Sequence, residues 1–281
     1  MTDLAAGDGE RLEDGYGPGT PPGDNLLGDF TRAVAVAYAA LVRSTGGRVE
    51  TALDGALTLA DGGAASPFGN VALLERPAEP DGGTEAIAAA THAFFDGRPG
   101  GPFLLFSAWP IGDLRAHRFA PVGHPPMMVR PAGLAPALDD ALAARTGMRI
   151  EAVADPDGVA AFEETVIEAY PTPEMLPYRR GAMIGAPILD SRWRLFVAWD
   201  GDRPMATAGA WVANELTTVE LVSARPECRG RGVGAAVTAA AADAGGPDRP
   251  AVLISSDLGQ ATYRRLGFAS VLRYTLWLGL R

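Results

Sequence analysis

Apolar positions Phe30, Val34, Val36, Ala37, Tyr38 and Leu41 recur at helical spacing and predict a helix over residues 29–43. Strand-like runs follow at 56–60 and 70–75, then a helix over 84–95 and a β-rich run at 102–108. Residues 131–147, rich in Pro, Ala and Leu, form a connector with one short helix, and a domain boundary falls near 147. Beyond it, 148–154 alternates as a strand and Asp155-Pro156-Asp157 ends it. Val159, Phe162, Val166 and Tyr170 then mark a helix face. Pro171 and Pro173 break that helix, and a second short helix is expected over 174–180. Residues 192–198, 205–212 and 217–224 form a three-stranded meander whose first turn is Asp200-Gly201, because Gly accepts the positive φ of a tight hairpin. A helix over 232–244 stops at Gly245-Gly246-Pro247; a strand at 251–255, a helix at 260–266 and an alternating strand at 271–278 complete the chain.

Length and composition narrow this picture. A chain of 281 residues predicts two domains of roughly 130 residues each. Residues 1–25, with six Gly, three Pro and six acidic side chains, have little to bury and are expected to be a disordered tail. No apolar run approaches the roughly 18–20 residues of a membrane span, and the acidic N-terminus does not resemble a secretory signal. The single cysteine, Cys228, excludes an internal disulfide framework and a multi-thiolate zinc site. A cytoplasmic protein, monomeric or homodimeric, is expected.

Thirty-four acidic against 24 basic residues give a net charge of −10, which disfavours nucleic acid as the main ligand and leans towards a cationic substrate such as an amine. Every basic residue is arginine; together with the abundant Ala, Gly and Pro this reflects GC-rich codon usage and carries no functional message.

The segment that carries chemistry runs from Arg225 to Ala235, between a strand and an Ala-rich helix. Gly230, Gly232 and Gly234 stand at alternate positions, leaving backbone N–H groups uncovered where the helix begins. Converging donors and the helix dipole suit a phosphate or pyrophosphate, with Arg229 and Arg231 adding charge. Gly230-x-Gly232-x-x-Ala235 formally matches a dinucleotide fingerprint. However, five residues (Arg225–Arg229) separate the strand from the first glycine, and too little chain follows for further strand–helix units. A Gly-x-x-x-x-Gly-Lys loop is impossible without lysine.

Arg229-x-x-Gly232-x-Gly234, preceded by Pro226 and an antiparallel meander, resembles the coenzyme-A signature of the GNAT N-acetyltransferase superfamily. Residues 261–268, with Tyr263 followed by Gly267-Phe268, resemble its second hallmark, a helix ending in Tyr-x-x-x-Gly-Phe. The resemblance covers about 148–281 and implies an α/β fold with a central mixed β-sheet flanked by helices. It also implies acetyl-CoA as co-substrate, no metal, and a small-molecule or peptide amine as acceptor. By the same resemblance, the backbone of Val222, Ser223 and Ala224 would pair with pantetheine. The pyrophosphate would lie on Gly230, Arg231, Gly232, Val233, Gly234 and Ala235, with Arg229 beside them. Tyr263 would protonate the leaving thiolate. A splay between the fourth and fifth strands would polarise the thioester carbonyl through a backbone N–H.

The amine needs a base, and Glu220 is the best candidate: on an alternating strand it shares a face with Val222 and Ala224. In members that use a fourth-strand glutamate the position falls nearer Thr218. Ser256 stands where many members place a CoA-contacting asparagine. Cys228, without a partnered histidine, is read as structural. A non-catalytic acyl-CoA sensor remains an alternative to the enzyme, as does a nucleotide-binding protein.

A shift of 149 residues aligns Ser107 with Ser256, Arg115 with Arg264, Phe119 with Phe268, Ala120 with Ala269 and Val122 with Val271, placing Leu114 against Tyr263. The first half, 26–147, is therefore expected to be a degenerate GNAT-like domain in tandem with 148–281. Its loop at 76–83 offers Pro and acidic residues where the second half offers glycines, so it would repel pyrophosphate and instead shape the acceptor cleft. His92, His117 and His124 show no metal-ligand spacing. Met127 and Met128, with Trp193, Trp199 and Trp211, are expected in the core or a cleft wall.

Overall fold

The computed structural model describes residues 26–77, 83–137 and 140–281. The tail expected for 1–25 and most of the loop at 76–83 lie outside them. The elements are α1 (Leu26–Ser44), β1 (Arg48–Ala52), β2 (Leu57–Asp61), β3 (Asn70–Leu74), α2 (Gly83–Phe95), β4 (Phe103–Ser107), β5 (Phe119–Gly123), β6 (Pro126–Arg130) and α3 (Asp140–Thr146). The second half adds β7 (Arg149–Ala152), α4 (Pro156–Ala169), β8 (Trp193–Asp200), β9 (Arg203–Val212), β10 (Thr217–Ala224), α5 (Val233–Asp243), β11 (Ala251–Ile254), α6 (Gln260–Arg265), β12 (Ala269–Arg273) and β13 (Thr275–Gly279). No helix among the described residues is long and apolar enough to cross a membrane.

Two mixed sheets result, ordered β1-β2-β3-β4-β13-β5 and β12-β6-β11-β10-β9-β8-β7. Each contains an antiparallel meander followed by one parallel pair, β3 with β4 and β10 with β11. The internal shift suggested by sequence is thus a repeat of structure: Pro126–Arg130 plus 149 gives Thr275–Gly279, the two strands that occupy equivalent places.

Those two strands are exchanged. β6 lies antiparallel between β11 and β12 in the second sheet, and β13 lies antiparallel between β4 and β5 in the first. A cut at residue 147 therefore leaves one strand of each sheet on its far side. The single alternating strand expected over 271–278 is two strands in two sheets. They part at Tyr274, a buried residue whose N–H donates to the Pro125 carbonyl (2.9 Å) and whose ring meets Phe30 edge-on. β1, β5 and β6 were not expected from the sequence. All five β6 residues are buried, as a strand covered on both faces requires, so Met127 and Met128 are core residues. The helix expected over 174–180 is only a 3-10 turn at Pro173–Met175, because Pro173 and Pro177 leave too few donors for a helix.

The exchange is locked at the chain's end. Arg281 donates to both carboxylate oxygens of Asp61 (2.9 and 2.6 Å) and to the carbonyls of Gly101 and Phe95. Burial acts to raise the Asp61 pKa, but the Arg281 hydrogen bond, the Gly63 amide and the charges of Arg281 and Arg98 hold it below 3.8. Its stabilisation is therefore full above the usual carboxylate range and lost as pH falls through the lowered value. Arg281→Ala leaves a buried carboxylate without its main partner; thermal or urea denaturation at pH 7 should show a loss of about 3 kcal/mol.

Candidate functional site

The Gly-rich loop opens the site. After β10 a 3-10 turn, Pro226–Cys228, leads to Gly230 and Gly232, both at positive φ (78° and 84°), with Gly232 capping α5. A Cβ at either glycine would meet nothing within 4 Å, so their inner faces look onto open space. α5 has neither a side-chain cap nor an acidic residue in its first turn. Among the described residues, no acceptor takes the N–H groups of Gly230, Gly232, Val233, Gly234 or Ala235. Five donors and a positive helix end thus remain for an anion. The all-small sequence of α5, buried from Ala236 to Ala242, lets the helix lie close against β9 and β10 and aims its N-terminus at the end of β10.

This loop forms one wall of a cavity of about 1050 Å³; residues of α3 and α6 form the others. Arg229 is partly committed: it donates to the carbonyls of Ala224 and Ala169, each at 3.1 Å, tying the loop to β10 and α4. Arg225 is buried and anchors the same corner through Glu168 and the Pro204 carbonyl. The Cys228 thiol is buried against the Met205 and Arg225 carbonyls, and burial pushes its pKa up, as expected of a structural thiol. Ser256 is exposed, and its hydroxyl accepts from Gly259 N–H (3.3 Å), leaving its own proton free to donate.

β10 carries the second half of the site. Its parallel pairing with β11 covers only Thr217↔Ala251 and Thr218↔Val252, so from Val219 to Ala224 its β11 edge is unpaired. Here lies the expected splay. Val222 and Ala224 belong to that open edge, as does Ser223. The register with β9 also slips between Glu220 and Ser223, and Leu221 takes φ 54°, uncommon for a branched residue. Buried Thr207 holds this bulge: its hydroxyl donates to the Leu221 carbonyl (3.1 Å) and pairs with Ser223 Oγ (2.7 Å).

The bulge overturns one expectation. Glu220 does not share a face with Val222 and Ala224. Those two pack towards the α5 core with Val233 and Val237, whereas Leu221 and Glu220 face the cluster formed by α1 and α4. One extra residue in the strand reverses the alternation beyond it.

On that face Glu220 Oε1 is closed from solvent and has no partner, while Tyr38 Oη stands 3.5 Å from Oε2. Burial, opposed weakly by the Tyr38 hydrogen bond, raises the Glu220 pKa to about 8. Burial followed by the Glu220 charge lifts Tyr263 to about 12. Burial also raises Tyr38 and Tyr170, with the Glu220 charge adding in each case. Sequence reasoning missed Tyr38 and Tyr170 as neighbours of Glu220. Tyr38 comes from the first half, on a helix that docks on the second sheet by accepting a hydrogen bond from Trp193 Nε1 at the Ala37 carbonyl (3.1 Å). Phe106 stacks obliquely beside Tyr38, and Phe68 meets Tyr170 edge-on. Nearby, buried Glu163 accepts from the N–H groups of Gly181, Met183 and Ile184 (2.6–2.8 Å) and from Tyr178 Oη, fixing the loop after α4.

Tyr263 lies on α6 against Phe268, and the Phe268 N–H closes the turn onto the Tyr263 carbonyl. Arg130 of β6 steadies the end of that helix through the Leu266 carbonyl. A strand from the first half thus helps to place Tyr263.

Residues 160–268 match the family model described as the acetyltransferase (GNAT) family. This span contains the Gly-rich loop, β10 and Tyr263. No curated protein matches the chain. Among solved structures it is similar to a GCN5-related N-acetyltransferase from Kribbella flavida (22% identity, 90% of this chain and 95% of that one, TM-score 0.62). A GNAT-family protein of Novosphingobium aromaticivorans is similar over 81% of this chain and 89% of its own (20% identity, TM-score 0.52). These likenesses extend beyond the matched domain and support the tandem α/β fold.

The raised Glu220 pKa has a measurable sign. Between 4.5 and about 8 the native state holds a proton that the unfolded chain has released, so this group's contribution to stability falls as pH rises through that window. Glu220→Gln removes the dependence. Its melting temperature relative to the unsubstituted protein should climb from pH 5 to pH 8 and level off above; a pH-independent difference would contradict the assignment.

Proposed function

We propose that this protein transfers an acetyl group from acetyl-CoA to a primary amine. The observation that supports this most is the set of unclaimed amides of Gly230, Gly232, Val233, Gly234 and Ala235, beside the unpaired edge of β10; the Arg231 N–H, also expected to meet the pyrophosphate, is bonded to the Cys228 carbonyl instead. Acetyl-CoA would supply the activated thioester, its C–S bond giving way to the C–N bond of the acetylated amine as CoA leaves as the thiol; the remaining roles belong to this chain. The loop amides hold the pyrophosphate, and the edge at Val222–Ala224 pairs with the peptide-like pantetheine arm as an added strand would. Backbone N–H groups in the splay point at the place where the thioester oxygen gains charge.

The acceptor comes from the opposite face of the sheet, where Glu220 stands among Tyr38, Tyr170 and Tyr263. With a pKa of about 8, Glu220 becomes a carboxylate able to take a proton from an ammonium as the pH rises through the mildly basic range. Tyr263, raised to about 12, remains a neutral phenol that donates a hydrogen bond to the departing sulfur. Both groups suit proton transfer through a narrow split in the sheet, which also brings the two reactants together. The reaction is proposed to take place in the cytoplasm, on a small-molecule or peptide amine.

Two variants test the reading. Gly232→Asp introduces a carboxylate and a side chain at φ 84°, where the pyrophosphate would lie. Titration calorimetry should show CoA affinity lowered at least about a hundredfold; retained affinity overturns the loop assignment. Tyr263→Phe should lower kcat for CoA release over an amine panel by about ten- to a hundredfold while CoA affinity stays the same. Tight CoA binding without turnover on any amine would instead favour a sensor.

A further inference from the structure

The cavity beside the Gly-rich loop holds more positive charge than a pyrophosphate requires. Arg145, from the connector helix α3, Arg231, from the loop, and Arg265, from α6, all line it. Among the described residues, none of the three is paired with a carboxylate. Arg265 donates to the Thr262 hydroxyl at 3.3 Å. No Asp or Glu occurs among the described residues of the cavity wall. In a chain with net charge −10, where most arginines do find an acidic or carbonyl partner, three exposed arginines lining one cavity give it a positive potential. An anion bound in the cavity is attracted by all three.

The loop amides already account for one diphosphate. We infer that Arg145, Arg231 and Arg265 bind the 3′-phosphate of the adenosine end of coenzyme A, so that the connector between the two halves discriminates CoA from carriers that lack this group. The inference rests on the carrier reading above and adds to it a specificity device contributed from outside the matched family domain. A phosphate monoester near neutral pH carries close to two negative charges and three acceptor oxygens, which suits several guanidinium donors approaching from different walls. α3 is held in place for this role. Leu142 packs against Ala236 and Ala239 of α5, and the Ala137 N–H donates to Asp243 at the far end of that helix (3.0 Å).

The test is calorimetric titration of the full chain with CoA and with 3′-dephospho-CoA, which needs no acceptor and no turnover. The unsubstituted protein should bind CoA about tenfold or more tightly than dephospho-CoA. Arg145→Gln should weaken CoA by about fivefold and leave dephospho-CoA unchanged, with an unaltered melting temperature since Arg145 is exposed. Arg265→Gln should act in the same direction. Equal affinity for the two ligands in the unsubstituted protein, or an equal loss for both in Arg145→Gln, overturns the inference while leaving the loop reading intact. Failure of both ligands to bind removes the loop reading itself, and this inference with it.

Discussion

The buried hydroxyl of Thr207, bonded to the Leu221 carbonyl, sets the point at which β10 stops being a regular strand. Without that bulge Glu220 and Val222 would fall on one face of the sheet. With it, the carboxylate turns to the α1–α4 side while the open edge and Gly-rich loop stay with α5. The split between β10 and β11 then becomes a passage between two environments. The rest of the site depends on this one irregularity, because it decides which groups can meet through the gap.

The two sides differ electrostatically, and the sheet keeps them apart. On the α5 side, backbone donors and arginines line the cavity, with no Asp or Glu among its described lining residues. On the other, Glu220 is surrounded by phenols and aromatic rings, and no basic side chain contributes to the shifts of Glu220, Tyr38, Tyr170 or Tyr263. An anionic carrier and a cationic acceptor are thus each matched to the side they would enter from. The net acidity of the chain conceals this division, since a summed charge says nothing about where the arginines gather.

What the sequence revealed follows from what is local. The glycines at 230, 232 and 234 and the Tyr263…Gly267-Phe268 run depend on near neighbours in the chain, so their places at a helix start and a helix end were legible. Glu220 could be picked out as a base, but its face could not. Leu221 and Val222 are ordinary strand formers, and the hydroxyl that bends them lies fourteen residues away on β9. Tyr38 was legible only as part of an apolar stripe, because 182 residues separate it from Glu220. His124-Pro125-Pro126 resembles a loop, and only pairing with distant strands makes β6 a central strand. Tyr274 broke an apparently continuous strand for the same reason: nothing in its neighbours signals a change of sheet.

The exchange of β6 and β13 bears on how such a chain can change over time. Two halves that each kept their own strands could be altered or lost independently. Here the first half supplies the strand between β11 and β12, a tyrosine beside Glu220 and the arginine that steadies α6. Deleting it would separate β12 from the rest of the second sheet. The two halves are thus tied to each other by the hydrogen bonds of the exchanged strands.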